Sequence, residues 1–427
     1  MQSTDLKEKI NLGIRQNSKH KWRAFVDGEG KIVLPPEMGW YYGLKPGADL
    51  VLEEVGHGLK IRLPVSYLAK VYIEPTNRCN LECLTCIRRR WEEPIGDMET
   101  EVFARLMEGL RSFSPIPMVF FGGFGEPLAH PRIIEMIAQA KAIGAWVELI
   151  TNGTMLTRSM AKELIHSGLR KLWVSIDGAK PESYADVRLG AALPQVIKNI
   201  MNFREECHLA PPPRPELGIV FVAMKRNIVD LPEVLNLGTK LGANDFLVTN
   251  VLAYTPELRE EILYTRALGD FAWGGALKLP KMDLNEETRD PFYWTMRSGK
   301  NVCFPGDQLG ETNDYCPFIE SGSTSISWQG EVSPCLPLLH SHKHFIDDRE
   351  RYSRKYVVGN LLKNDLWTLW NNAEYVALRE RVKRFDFSPC TICGGCELFE
   401  KNEEDCFGNT FPTCGGCLWA QGIIRCP

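Results

Sequence analysis

The 427-residue sequence predicts an α/β protein built on a parallel sheet, and three features predict it. Strand-like runs alternate with helical patterns from residue 68 to 255. Three cysteines, spaced Cys79-x-x-x-Cys83-x-x-Cys86, stand on the loop after the first run. Ten more crowd the segment from Cys303 to Cys426, which leaves one of the fourteen, Cys207, as a bystander in a helical stretch.

The elements follow in order. Lys70–Glu74 is the first strand, and Glu99–Phe113 then carries apolar residues at helical spacing. Met118–Phe121 is the second strand, residues 131–143 the next helix and Trp146–Thr151 the third strand. A helix over Arg158–Ser167, the strand Lys171–Ile176 and a helix near Pro194–Glu206 come next. The strand Leu217–Ala223, a helix over Leu231–Leu241 and the strand Phe246–Val251 complete the series. Six strands with intervening helices imply parallel pairing through right-handed crossovers. Ligands in such sheets sit at the carboxyl ends of the strands.

A structural zinc site takes four ligands, whereas three cysteines on one loop can hold three irons of a 4Fe-4S cubane and leave the fourth open. Zinc completed by a distant cysteine, or three buried apolar thiols, are the alternatives. The triplet, at the end of a first strand, resembles that of the radical S-adenosylmethionine (radical SAM) enzymes. The resemblance implies a catalytic 4Fe-4S cluster on Cys79, Cys83 and Cys86, with SAM chelating the open iron. It also implies cleavage of SAM to methionine and a 5′-deoxyadenosyl radical that takes a hydrogen atom from the substrate. Such an enzyme needs an electron donor such as ferredoxin or flavodoxin.

Residues following each strand then become informative. After the second strand, Gly122-Gly123-Phe124-Gly125-Glu126-Pro127 is similar to the glycine-rich segment whose backbone receives the SAM amino group in that family. Glycine is required where backbone approaches a ligand closely. The third strand ends in Thr151 and Asn152, like the family's polar tip beside the SAM ribose. The fourth ends in Ser175-Ile176-Asp177-Gly178, followed by Tyr184 and Arg188, and relatives use a serine and an arginine here for the ribose and carboxylate. Arg188 by itself reads equally as a solvated helix charge.

In the last third, Cys316, Gly330 and Cys335 resemble the opening of a SPASM domain, an extension that carries auxiliary 4Fe-4S clusters. Cys390, Cys393, Cys396, Cys406, Cys414, Cys417 and Cys426 follow. The pattern departs from the usual one, because Cys396 comes too early and Glu400 stands where a cysteine is expected. Two cubanes need eight thiolates, so two of the ten are surplus. The resemblance assigns Cys316 and Cys335 to the first cluster, with Cys303, and Cys390, Cys393, Cys414 and Cys426 to the second. Zinc ribbons are the alternative. Disulfides are excluded by compartment: the opening MQSTDLKEKINLGIRQ lacks a signal-peptide core and no stretch reaches membrane-spanning length, which points to the cytoplasm.

Residues 19–64 alternate around a Gly28-Glu29-Gly30 turn and resemble one AbrB-type swapped-hairpin half. Seven basic against six acidic residues there, and a net charge of −4 overall, speak against nucleic acid or membrane as partner. Dimerisation or docking is the expectation. The polar stretches Pro256–Thr312 and His340–Lys355 read as a linker and a surface loop, with His340, His342 and His344 solvated.

The reading is an AbrB-like domain over residues 1–66, a partial (β/α)6 TIM-type radical SAM barrel over 67–255, a bridging region over 256–315 and a SPASM-like domain over 316–427. The AbrB-like start, Glu74-Pro75-Thr76-Asn77 and the terminal CGGCLWAQGIIRCP resemble maturases associated with tungstopterin aldehyde oxidoreductases. That resemblance implies a target oxidoreductase or its cofactor. A maturase that crosslinks peptides, and a DNA-binding iron–sulfur sensor, are the alternatives.

Overall fold

Ten strands form the principal sheet of the computed structural model, which describes residues 23–41, 44, 50–55, 58–265, 281–304, 315–393 and 395–427. Ahead of that sheet, β1 (Phe25–Val26) pairs antiparallel with β2 (Ile32–Val33), α1 (Pro36–Tyr41) follows, and β3 (Val51–Val55) pairs with β4 (Gly58–Arg62). The turn between β1 and β2 is held by the Asp27 carboxylate, which accepts the N–H groups of Glu29 and Lys31 at 2.9 Å. Neither hairpin joins the principal sheet. The expected opening residues 1–16, Tyr42, Gly43 and the turn at Lys45–Asp49 lie outside the described residues, as do parts of the expected linker.

The central series runs β5 (Lys70–Ile73), α2 (Thr100–Leu110), β6 (Met118–Phe121), α3 (Ile133–Ala142), β7 (Val147–Thr151), α4 (Arg158–His166) and β8 (Lys171–Ser175). It continues with α5 (Pro181–Val187), α6 (Leu193–Leu209), β9 (Glu216–Ala223), α7 (Leu231–Lys240) and β10 (Asp245–Asn250). The six strands lie parallel in sequence order, as expected. All of β8 is buried, the pattern of a strand covered on both faces. Helix α2 packs through Val102, Phe103, Leu106, Met107 and Leu110, a stripe at helical spacing. The short α5 falls outside the predicted series; it begins at a proline, where the missing N–H costs nothing.

Beyond residue 255 the chain adds strands to both ends of this series. β11 (Asn301–Cys303), from the expected linker, pairs parallel with β10. β12 (Ser323–Ile326) pairs parallel with β5, and β13 (Glu331–Ser333) pairs antiparallel with β12. β14 (His342–Ile346) and β15 (Arg349–Ser353) form a separate hairpin, and β16 (Gly359–Asn360) pairs with β13. Edge strands carry unpaired backbone groups that need partners, which is why short polar runs such as STSI are recruited. The hairpin corrects the expectation for the histidines: His340, His342 and His344 are all buried, and the last two share one face of β14.

Residues 418–427 lie across the gap between the two ends of the six-strand series. The Ile423 carbonyl accepts the Asn250 side-chain amide at 2.9 Å, and the Arg425 N–H is taken by Thr249 Oγ1 at 2.9 Å. On the β5 side, Lys70 Nζ and Tyr72 Oη donate to the Pro427 carbonyl at 2.6 and 2.9 Å. This segment bounds a cavity of about 490 Å³ with Tyr72, Trp173, Leu247, Cys303 and Cys426. No helix of the described residues is long and apolar enough to cross a membrane.

Asn250 donates to both Lys281 and Ile423, so Asn250→Ala leaves one partly buried and one buried carbonyl without that partner. The change should cost about 1–3 kcal/mol and lower the thermal midpoint measured by circular dichroism. An unchanged midpoint would show that the segment 418–427 is held without this contact.

Candidate active site

The cysteine triplet lies on the loop that leaves β5, at the carboxyl edge of the sheet. Cys83 is buried and Cys79 and Cys86 are partly buried. Burial raises the Cys79 thiol pKa and pushes that of Cys86 up to about 11, with the neighbouring thiolates adding to it. Such thiols keep their protons unless a cation replaces them, as a metal does. Two donors stand over the sulfurs: Asn152 Nδ2 is 3.9 Å from Cys79 Sγ and Arg188 Nη1 is 4.0 Å from Cys83 Sγ. Donors around thiolates suit an iron–sulfur cluster, whose sulfurs accept such contacts.

The glycine-rich turn presses on that loop. A Cβ on Gly125 would lie 2.1 Å from the Thr76 carbonyl oxygen, so only glycine fits there. Gly123 has φ of 104°, a backbone that side chains rarely adopt, and a Cβ on it would meet Glu74 at 2.8 Å. Glu126, 2% exposed, is the hub of the next layer. Its carboxylate accepts Leu128 N–H at 3.0 Å, Thr151 Oγ1–H at 2.7 Å and Asn152 N–H at 2.8 Å. Burial raises its pKa against the pull of these three donors. Asn152 then reaches Asn80 Oδ1 at 3.0 Å, one residue past Cys79, so the ends of β6 and β7 and the cysteine loop form one hydrogen-bonded unit.

The fourth strand end closes the site. Ser175 is buried at the end of β8, and Asp177 is wholly buried. Asp177 Oδ2 accepts Arg188 Nε at 2.6 Å and Oδ1 accepts Val222 N–H at 2.8 Å. Arg188 is therefore a largely enclosed, paired cation beside Cys83, its side chain 11% exposed, and the solvated alternative is set aside. Burial lowers its pKa, and the Asp177 and Cys83 charges outweigh that, so the net shift is upward. Tyr184 is fully buried against this pair, its pKa pushed up to about 12 by burial, and its hydroxyl has no hydrogen-bond partner among the described residues. The triplet and nine expected residues around it thus converge on one edge; Pro127 opens the following turn as a spacer.

The ten C-terminal cysteines fall into groups that differ from the expected ones. Cys316 and Cys335 are buried and Cys414 and Cys417 partly buried, and the four are electrostatic neighbours: burial raises each, and thiolates of this set raise Cys316, Cys335 and Cys414 further. The backbone at Gly415 and Gly416 makes that possible, since a Cβ would lie 2.0 Å from the Ser388 carbonyl and 2.5 Å from the Arg351 guanidinium carbon. Cys390, near Cys406, is half-buried, while Cys393, Cys396 and Cys406 are exposed. Cys303 and Cys426 line the 490 Å³ cavity instead, with Arg425 Nη1 3.2 Å from Cys303 Sγ. The sequence grouping had Cys414 and Cys426 with Cys390 and Cys303 with Cys316; the electrostatic neighbourhoods join Cys414 to Cys316 and Cys335. Spacing along the chain could not show which loops double back. Among the described residues no three His, Cys, Asp or Glu groups converge as a single metal ion requires; thiolates on a cubane stand farther apart, each on its own iron.

Several buried polar residues here had no sequence signal. Glu74, at the end of β5, takes Phe124 N–H at 3.1 Å and pairs with His340 Nε2 at 2.8 Å. Tyr254 packs on His342 with ring centroids 5.8 Å apart, and burial first, then the Cys86 and Cys426 charges, raise its pKa. Arg351 is buried between the histidines of β14 and the Cys414 and Cys417 turn. The every-second-residue spacing of the histidines was the one available clue.

A family description, the radical SAM superfamily, matches residues 73–208, and an iron-sulfur cluster-binding domain matches residues 316–397. A tungsten-containing aldehyde ferredoxin oxidoreductase cofactor-modifying protein of Pyrococcus furiosus is 33% identical over 84% of this chain and 96% of its own. A PqqA peptide cyclase of Bradyrhizobium diazoefficiens is 27% identical over 43% of this chain and 47% of its own. Streptococcus suis SuiB bound to S-adenosylmethionine shares the fold, with TM-score 0.54, 18% identity and coverage of 80% and 73%. These matches bring a 4Fe-4S cluster and SAM to the barrel and auxiliary iron–sulfur clusters to the C-terminal region. With the cysteine loop, glycine turn and paired Arg188 at one sheet edge, the chain belongs to the radical SAM and SPASM maturases, in the company of the tungsten-cofactor-modifying proteins.

Proposed function

We propose that the chain acts in the maturation of a tungstopterin oxidoreductase or of its cofactor, with Cys79, Cys83 and Cys86 as ligands of the radical cluster. The carrying observation is the seat of the triplet under Asn152 and Arg188. When bound, the cluster and SAM supply reductive cleavage of the sulfonium carbon–sulfur bond and hydrogen-atom abstraction from the substrate. The chain's own residues position and exclude water. Gly122, Gly123 and Gly125 let backbone approach the SAM amino group, and Glu126 fixes Thr151 and Asn152 for the ribose. Ser175 serves the ribose too, and Asp177 orients Arg188 toward the carboxylate. The tungsten target rests on likeness to the Pyrococcus furiosus protein along nearly all of that relative. A peptide target is the second reading, favoured by the peptide cyclase relative and by the fold of SuiB bound to its precursor peptide.

We assign one auxiliary cluster to Cys316, Cys335, Cys414 and Cys417 and another to Cys390, Cys393, Cys396 and Cys406, with ferredoxin or flavodoxin as donor. The N-terminal hairpins, read as an AbrB-like half, serve self-association or docking in the cytoplasm; Phe25, Val26 and Leu59 are more than 60% exposed. Residues 67–255 act as the barrel and 316–427 as the cluster lobe, joined by 256–315.

Anaerobically reconstituted protein should hold about twelve irons, three cubanes by ligand arithmetic. Replacing Cys79, Cys83 and Cys86 by Ala should remove about four, and replacing Cys414 and Cys417 another four. Zinc instead of iron in the triple variant would overturn the auxiliary assignment and leave the radical site standing.

With dithionite and SAM, 5′-deoxyadenosine should form slowly even without the target. Arg188→Leu removes a charged partner and should lower kcat/KM for SAM by about tenfold or more, read by chromatography of the product. Parental kcat/KM would remove Arg188 from the site. Target identity is tested by pull-down from cells that make a tungsten oxidoreductase; capture of a short peptide instead favours the second reading.

Deleting residues 1–66 should reduce the molecular size found by light scattering to that of a monomer, or abolish target capture, while SAM cleavage continues. If size and capture both persist, the hairpins have neither role.

A further inference from the structure

Glu74 and His340 are buried ionisable groups that the SAM-binding reading does not use. Glu74 is wholly buried and His340 is 2% exposed. They come from opposite lobes: Glu74 ends β5, five residues before Cys79, and His340 lies five residues after Cys335. His340 Nε2 meets Glu74 Oε1 at 2.8 Å. The other oxygen, Oε2, accepts the Phe124 N–H at 3.1 Å, in the middle of the glycine-rich turn. Because Nε2 faces a carboxylate oxygen, it is assigned as the donor of this contact. Among the described residues Nδ1 has no hydrogen-bond partner, and it stands 3.8 Å from Glu93 Oε1, beyond hydrogen-bonding reach. Trp91 and Phe124 pack edge-on to the imidazole at centroid distances of 4.6 and 5.7 Å, which fixes the ring plane.

Backbone bonds from Gly122 N–H to Ile73 and from Glu126 N–H to Arg78 hold the two ends of the turn, and Glu74 holds its middle. Gly123 offers no side chain, and its Cα lies so near Glu74 that a Cβ would sit 2.8 Å from the Glu74 Cβ. The Phe124 N–H therefore depends on Glu74, and the Glu74 carboxylate in turn depends on His340 for its orientation. A buried carboxylate without its partner is costly and turns to find another.

We propose that His340 is a positioning residue for SAM: the cluster lobe, through the His340–Glu74 contact, sets the glycine-rich turn in the conformation that receives the SAM amino group. The inference rests on the reading of Gly122–Gly125 as the SAM cradle. It makes SAM affinity a property of both lobes, so movement of the segment after Cys335 is transmitted to the cofactor site through one hydrogen bond and one carboxylate.

The test uses the full reconstituted chain, reduced by dithionite and titrated with SAM while the electron paramagnetic resonance signal of the reduced radical cluster is followed. Iron content is measured on the same samples. The parent signal should change on SAM addition. His340→Leu should need about tenfold more SAM, the loss of a hydrogen bond to a charged group. His340→Gln, whose amide can donate to Glu74, should stay within about threefold of the parent. Glu74→Gln leaves one acceptor for two donors and should match His340→Leu. If His340→Leu and Glu74→Gln titrate like the parent with full iron, the contact is structural only and the inference is overturned. Where His340→Leu loses its iron, Glu74→Gln against His340→Gln decides, and equal SAM demand in those two overturns it. A parent signal indifferent to SAM overturns the cradle reading itself, and this outcome is distinct from the others.

Discussion

A single buried carboxylate, Glu126, ties together what the carboxyl edge of the sheet has to present. Parallel strands deliver their loops to one edge, but delivery does not fix the loops against one another. Glu126 does, by accepting donors from the segment after β6 and from both Thr151 and Asn152 after β7. Through Asn152 the same network reaches Asn80 and the Cys79 sulfur. Because each donor is itself buried, losing the carboxylate would leave several unpaired polar groups at once, which makes this the least replaceable contact of the site.

Charge is arranged around sulfur in both lobes in the same way. Arg188 stands beside Cys83 and is held by Asp177, while Arg351 stands among Cys390, Cys414 and Cys417. A guanidinium beside a cluster offsets its negative charge and raises its potential. The two cations differ in support. Arg188 has a carboxylate partner and keeps its proton firmly; Arg351 has backbone contact with Phe399 and burial lowers its pKa.

The lobes are joined by more than a linker. β11 and β12 extend the parallel series at its two ends, residues 418–427 cross the remaining gap, and His340 reaches the glycine-rich turn. The cluster lobe thus completes the barrel physically. This explains why the described parts of the polar stretches that read as linker and loop are partly buried: they satisfy edges and openings that the six-strand series leaves unpaired.

Periodicity and local chemistry made the six strands, their helices and the triplet legible, because those signals depend on near neighbours in sequence. Gly125 and Glu126 were legible for the same reason, as a turn at a strand end. The grouping of Cys316 and Cys335 with Cys414 and Cys417 was not, nor was the burial of His340, His342 and His344. Those depend on which distant segments share an interior, and no spacing rule reports it. The sequence by itself determined the alternating α/β order and the residues at each strand end. Only the tertiary structure decided which cysteines meet, that Arg188 is paired by Asp177, and that a histidine after Cys335 touches Glu74, since burial and long-range hydrogen bonding exist only once the chain has closed on itself.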